Sequence, residues 1–258
     1  MLRPRRVPTV DRVTSTSPLA WSDVGAVLFD LDGVLTPTAR VHMTAWAELF
    51  TGYLREVTTE GVDTSPYTDD DYYAHVDGKP RYDGVRDFLT SRGIDLPQGS
   101  PSDPPDAQTV CGLGNRKNDA FNAVLARDGV EPFPGSVALL DLLRDLGIPL
   151  AVVSSSANAR EVLAAAGLSD RFVSVVDGRV ASALGLPGKP APDTFLHAAR
   201  ECGAAPSASV VVEDAVSGVR AGAAGGFLAV VGVDRGAGEE TLRAAGATVV
   251  VSDLEELV

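Results

Sequence analysis

Short apolar runs punctuate the chain at intervals and set its architecture. Val24 to Phe29 is continuously apolar apart from one glycine and stops at Asp30. Ile148 to Val153, Phe172 to Val176, Val210 to Val212, Leu228 to Val231 and Thr248 to Val251 have the same character. Runs this short, rich in Val, Ile and Ala and bounded by polar residues, predict strands buried on both faces. Helical periodicity falls between them. Val137 to Leu146 places Leu139, Leu142, Leu143 and Leu146 on one face, and Asn158–Ala166, Thr194–Cys202, Val216–Ala224 and Glu239–Ala245 follow suit. Strand alternating with helix predicts an α/β fold built on a parallel sheet, with ligands beyond the carboxyl ends of the strands. Residues 38–131 break the rhythm. They hold helical patterns at Thr44–Leu54, Tyr82–Ser91 and Asp119–Arg127, a Pro- and Asp-rich loop at 97–106, and no convincing strand. The expected organisation is a leader over 1–21, a core from 22–37 and 132–258, and a mostly helical cap inserted at 38–131.

Composition narrows the partners. The chain has 258 residues, and 22 Lys and Arg against 35 Asp and Glu leave a net charge of -13. A surface that acidic repels phosphate backbones and anionic lipid, which argues against nucleic acid and membranes. No apolar run approaches the roughly 18 residues of a membrane span. Two distant cysteines, Cys111 and Cys202, form no disulfide framework and fit a reducing cytoplasm. The first residues, basic and rich in Pro, Ser and Thr, lack the apolar core of a secretory signal and read as a flexible leader.

The candidate chemistry sits where predicted strands end. Asp30-Leu-Asp32-Gly follows the first strand, and Glu213-Asp214 follows the run Val210 to Val212. Paired carboxylates repel and raise one another's pKa unless a cation relieves them. Mg²⁺ suits such oxygen donors and leaves room for water and phosphate. Each pair alone has an ordinary alternative, a solvated turn for the first and a helix cap for the second; together they favour metal. Ser154-Ser155-Ser156 stands between a strand and a helix, where hydroxyls and N–H groups either hold phosphate or cap the helix. Lys189 lies in Gly-Lys-Pro-Ala-Pro, a stiff loop that aims its ammonium.

In this order the four pieces resemble the haloacid dehalogenase superfamily of phosphoryl-transfer enzymes. Within it, Asp30 to Trp46 (with Thr38, His42 and Trp46), Gly78-Lys-Pro-Arg81, Arg116-Lys117-Asn118-Asp119 and Ser154-Ser-Ser-Ala-Asn158 are similar to the β-phosphoglucomutase family. The resemblance implies a Rossmann-like core with a helical cap, and Asp30 as nucleophile. It makes Asp32 the general acid and base, with Thr38 at the hinge. Mg²⁺ would be held by Asp30, the Asp32 carbonyl, Asp214 and Glu213, the last directly or through water. Lys189 and Ser154 would orient the transferring phosphoryl group. A second phosphate would be gripped by Arg81, Lys117, Ser156 and Asn158, with Gly78 and Ser155 in the same loops. His42 is expected to meet Asp30 or Asp32, or else to be a satisfied helix histidine; Trp46 either packs the cap or carries the sugar. Pro37, Gly84 and Ala157 depart from the family pattern. The implied reaction interconverts β-glucose 1-phosphate and glucose 6-phosphate, with glucose 1,6-bisphosphate as activator and intermediate. The alternative is a sugar phosphatase using the same nucleophile. A small sugar phosphate is the expected partner, and a monomer the expected state.

Overall fold

The computed structural model describes residues 19–258. Six parallel strands form one sheet in the order β3-β2-β1-β4-β5-β6, where β1 is Ala26–Phe29, β2 Leu150–Val153, β3 Ser174–Val176, β4 Ser209–Glu213, β5 Ala229–Val233 and β6 Val249–Val251. All six lie within the predicted apolar runs or within two residues of them. The chain winds outward from β1 on one side through β2 and β3 and on the other through β4 to β6. The order therefore reverses between β1 and β4, which leaves a crevice at their carboxyl ends. Phe29 is in register with both Val152 and Val212, so Asp30 and Glu213 emerge side by side at the rim of that crevice.

Side chains alternate across the sheet, as strand geometry requires. Val27 and Phe29 bury into one face with Leu139, Leu140 and Leu143; Ala26 and Leu28 bury into the other with Phe195, Ala198 and Val219. Between β1 and the helix α5 (Pro134–Asp145) the chain forms α1 (Thr38–Glu56), a short α2 (Asp69–Asp71) continued by a wider turn at Tyr72–Val76, α3 (Arg81–Ser91) and α4 (Val110–Asp128). These helices enclose an apolar core of their own around Trp46, Phe50, Tyr53, Phe88, Leu89 and Leu113. In the sheet half, α6 (Ala159–Ala165), α7 (Gly178–Leu184), α8 (Asp193–Glu201), α9 (Val216–Ala224) and α10 (Glu239–Ala245) complete the layers. No helix among the described residues is long and apolar enough to cross a membrane.

Three expectations need correction. Helix α1 begins at Thr38, not Thr44, because its first turns face the crevice and carry polar side chains. Helix α4 begins at Val110, not Asp119. Gly112 and Gly114 obscure the helical signal there, yet a Cβ on either would collide, with the Ala107 carbonyl or the Tyr82 ring, so close packing demands glycine. Helix α7 was not foreseen; it starts on a glycine and is capped by Asp177, which accepts from the N–H groups of Arg179 and Val180. Most of the expected leader, residues 1–18, lies outside the described residues. Trp21, at its end, belongs to the core: its indole donates to the Leu257 carbonyl at 3.0 Å.

The cap core rests on Phe50, fully buried, stacked on Trp46 at a centroid distance of 5.3 Å and tilted against Phe88 at 4.0 Å. Phe50→Ala should destabilise the cap by about 3–5 kcal/mol. Hydrogen exchange should show early opening of α1 and α3 while β1 and β4 keep their protection.

Candidate active site

Asp30 ends β1, its N–H donating to Val212 O at 2.9 Å. Lys189 reaches it from the loop before α8. Its ammonium lies 2.5 Å from Asp30 Oδ1, bonds Glu213 Oε1, and donates to Val153 O at 3.1 Å. All three ammonium donors are thereby used. Glu213 is wholly buried, and its second oxygen accepts from the Ala215 N–H at 2.8 Å. A Cβ at Gly218 of α9 would collide with this carboxylate, so glycine makes the room for it. Burial works to discharge Lys189, but Asp30 and Glu213 outweigh it and raise its pKa. Burial lifts the Asp30 carboxyl well above the usual range, opposed by Lys189 and aided by Glu213 and Asp32.

Asp32 belongs to a second chain of contacts. The Thr38 hydroxyl donates to it, and His42 Nε2 stands 3.4 Å away, an ion-pair distance without hydrogen-bond geometry. His42 Nδ1 meets the Lys117 ammonium, and its ring stacks on Phe121 at 4.1 Å. Burial opposes ionisation of Asp32, yet His42, Thr38 and Lys117 together bring its pKa down to about 2. Lys117 is 4% exposed and lies 5.0 Å from the rings of both Trp46 and Phe121. Burial first, then the nearby Arg81, lowers its pKa to about 7, with Asp32 opposing.

Arg81 opens α3 and donates to Asn118 Oδ1 at 2.6 Å, and the same oxygen accepts from the Asn158 amide at 2.7 Å. Cap and core thus share one acceptor. Two more bonds dock the cap loop: Ser155 Oγ donates to Gly78 O at 2.7 Å and Ser217 Oγ to Asp77 O at 3.2 Å. Gly78 has a φ of +68°, and a Cβ there would collide with Ser217 Oγ. This position therefore needs glycine both for its backbone and for its contact.

One cleft gathers Asp30, Asp32, His42, Trp46, Gly78, Arg81, Lys117, Ser155, Ser156, Asn158, Glu213 and Asp214. Thr38 and Lys189 act on it from behind, through Asp32 and Asp30. Ser154 does not line it; its hydroxyl accepts from the Ser156 N–H at 3.0 Å and so shapes the loop. Trp46 both stacks in the cap core and faces the cleft. Sequence reasoning missed Tyr72 and Asp77 in the lining. Asp77 is pushed up to about 6 by burial and by Glu213. Its only signal was its place before Gly78-Lys-Pro-Arg81.

The donor set is suited to a hard divalent cation. Among the described residues no three acidic, Cys or His side chains form a ready-made metal cage. Mg²⁺ does not need one, since it binds through one or two carboxylates with waters and phosphate. Lys189 serves only Asp30 and Glu213. Asp214 receives no hydrogen bond among the described residues, and burial, Glu213, Asp30 and Asp77 all raise its pKa. An oxygen-bound cation answers that excess of negative charge.

Comparison with known proteins shows the family. Residues 24–226 match the model of the haloacid dehalogenase-like hydrolases. A Mycobacterium bovis β-phosphoglucomutase is 52% identical over 241 residues, covering 91% of this chain and 92% of that one. A Bacillus subtilis β-phosphoglucomutase is 31% identical over 212 residues, covering 82% and 84%. The crystal structure of a Clostridium difficile β-phosphoglucomutase shares the fold, with a TM-score of 0.72, 24% identity and coverage of 91% and 93%.

Because the pKa of Lys117 lies near 7, the side chain is mostly neutral at pH 8 when no anion is bound. An anion entering beside it favours the charged form and raises that pKa. Binding of inorganic phosphate at pH 8 should therefore take up protons. Calorimetry in buffers of different ionisation enthalpy measures this uptake, and Lys117→Met should remove its share. A buffer-independent enthalpy would contradict the reading.

Proposed function

The chain belongs to the haloacid dehalogenase-like hydrolases, in the family of the β-phosphoglucomutases, and on that premise we propose that its cleft interconverts β-glucose 1-phosphate and glucose 6-phosphate through the 1,6-bisphosphate. It is an enzyme; the reaction, its cofactor and the residue roles are the proposal. The observation that carries the mutase over the phosphatase is the far end of the cleft. Arg81 and Lys117 are held there by neutral partners, and neither pairs with a carboxylate among the described residues. A phosphatase needs one phosphate site. Arg81, with Lys117 taking up its proton as an anion arrives, supplies a second.

Asp30 is the nucleophile and forms the aspartyl phosphate. Lys189 holds its carboxylate in place and balances charge on the transferring group. Asp32, held ionised by its partners, takes the proton of the attacking hydroxyl and then returns it to the departing sugar oxygen. The Thr38 hydroxyl and His42 hold Asp32 for this exchange. Asp30, Asp214 and the Asp32 carbonyl would hold Mg²⁺, which when bound neutralises developing charge on the phosphoryl oxygens. Glu213, both of whose oxygens are already engaged, acts through Lys189. Ser156, Asn158, Arg81 and Lys117 grip the distal phosphate, and the docked loop at Gly78 keeps water from the aspartyl phosphate.

The deciding assay supplies β-glucose 1-phosphate, Mg²⁺ and a trace of the 1,6-bisphosphate, then follows glucose 6-phosphate and free phosphate together. Glucose 6-phosphate should dominate, and excess chelator should stop turnover until Mg²⁺ is restored. Release of phosphate alone from every sugar phosphate offered would favour the phosphatase.

Two substitutions test the roles. Mass spectrometry of the acid-quenched wild-type protein should show an aspartyl phosphate, and Asp30→Asn should abolish it. A charge-assisted bond contributes about 1.5–3 kcal/mol, so Arg81→Ala should slow isomerisation about 10- to 150-fold at ~1.4 kcal/mol per tenfold. Hydrolysis of acetyl phosphate, which does not reach the cap cations, should change little. Unchanged isomerisation in Arg81→Ala would remove the case for a distal phosphate site.

A further inference from the structure

The turn that follows the nucleophile is held from outside at three consecutive carbonyls. Leu35 O accepts from the Phe133 N–H at 3.0 Å, and Val34 O accepts from the Ser136 hydroxyl at 2.7 Å. Both donors lie at the start of α5, where the chain returns from the cap. The third carbonyl, Gly33 O, accepts from Arg235 Nε at 2.9 Å, more than 200 residues away in sequence. Arg235 lies just beyond β5, in a loop fixed by Asp234, whose Oδ1 accepts from the N–H groups of Gly236 and Gly238.

The guanidinium does more than reach Gly33. It sits over the Phe133 ring, 4.0 Å from the centroid, and Nη1 donates to Ser252 O at 3.1 Å with Asp253 at 3.5 Å. Asp253 in turn packs on Gly135, where a Cβ would collide with its carboxylate. One side chain therefore bridges the outgoing cap linker at Gly33, the returning linker at Phe133 and the carboxyl edge of the sheet. Gly33 has a φ of +86°, and a Cβ there would collide with Asp214, so its α-carbon is seated directly against that carboxylate. Where Arg235 holds the carbonyl of Gly33 decides how close this turn sits to Asp214. Nη2 is buried without a partner among the described residues. A purely stabilising arginine gains nothing from an unsatisfied buried donor, whereas the fork geometry needed to meet Gly33 O and Ser252 O at once leaves one behind.

We propose that Arg235 is a positioning residue of the reaction centre: through Gly33 and Phe133 it sets the Asp30–Asp32 turn and both cap linkers against Asp214. It touches no reacting atom, and its action runs through the backbone of the turn. The inference rests on the phosphoryl-transfer reading of the cleft.

The test compares Arg235→Met, which keeps the stem on Phe133 but loses every donor, with Arg235→Lys, which retains one donor for Gly33 O. In Arg235→Met, kcat for isomerisation should fall about tenfold with KM changed less than twofold. Phosphoenzyme formation from acetyl phosphate should fall in parallel, since both reactions use the same turn. Arg235→Lys should recover part of both. A lowered Tm with unchanged kcat per folded molecule would overturn the proposal, and so would a loss confined to KM for the sugar phosphate. If neither variant folds, Phe133→Leu removes the ring beneath the guanidinium and leaves its hydrogen bonds; kcat should fall two- to fivefold, and an unchanged kcat overturns the proposal equally. Failure of the phosphoryl-transfer reading looks different: the wild-type protein then forms no phosphoenzyme, and this inference falls with it.

Discussion

A buried ammonium between two buried carboxylates is the constraint on which the rest of the site depends. Lys189 is 4% exposed, Asp30 7% and Glu213 not at all. Removing such groups from water costs several kcal/mol for each ion, and only close pairing offsets that. The pairing exists because β1 and β4 are neighbours in register, so that Asp30 and Glu213 leave the sheet together. It also needs glycine at position 218, and a loop that carries Lys189 down onto Val153 O. Lys189 can satisfy two acids and no more. Asp32, Asp77 and Asp214 are left to other partners, and the cleft inherits a surplus of negative charge at the sheet end.

The sequence made the scaffold legible because its strands are short, apolar and followed at once by chemistry. Asp30, Glu213 and the serine loop could be placed at strand ends before any contact was known. What local pattern could not convey were features set by distant contacts. Glu213, expected as a metal ligand directly or through water, has both oxygens engaged, by Lys189 and by the Ala215 N–H, which only the neighbouring strand and helix reveal. Ser154, expected on the phosphoryl group, has its oxygen engaged by the Ser156 N–H of its own loop, a bond that leaves its O–H to donate elsewhere. The early start of α4 was hidden by glycines whose purpose is contact with Tyr82 and Ala107. Asp77 and Tyr72 come from a stretch without helical or strand period, and they enter the cleft only because the cap loop docks on Ser155 and Ser217.

Docking brings like charges together at both ends. The cap carries Asp77 toward Glu213 and Asp214, and the pKa values of Asp77 and Asp214 rise as a result. It also buries Lys117 beside Arg81: burial and then Arg81 lower the pKa of Lys117, and burial lowers that of Arg81. Three oriented hydrogen bonds between cap and core, from Ser155, Ser217 and Asn158, oppose this repulsion. Neutral bonds of that kind contribute only about 0.5–1.5 kcal/mol each. The closed cleft is therefore well made geometrically and incomplete electrostatically.

What completes it follows from the separation of the two charges. A lone phosphate between Lys117 and Arg81 relieves the cationic end and leaves the acidic end as it was. A cation at Asp30 and Asp214 relieves the acidic end and leaves Lys117 unpaired in its aromatic surround. On the proposed reading, a ligand with a phosphate at each end, one beside a bound cation and one beside the cap cations, would satisfy both at once. Its gain over a monophosphate is largest in the closed state, where desolvation makes each charge contact count for more. Differential stabilisation of this kind is the property a phosphomutase needs: it must retain a bisphosphate long enough to reverse it, while a monophosphate leaves one end of the cleft unsatisfied and favours reopening.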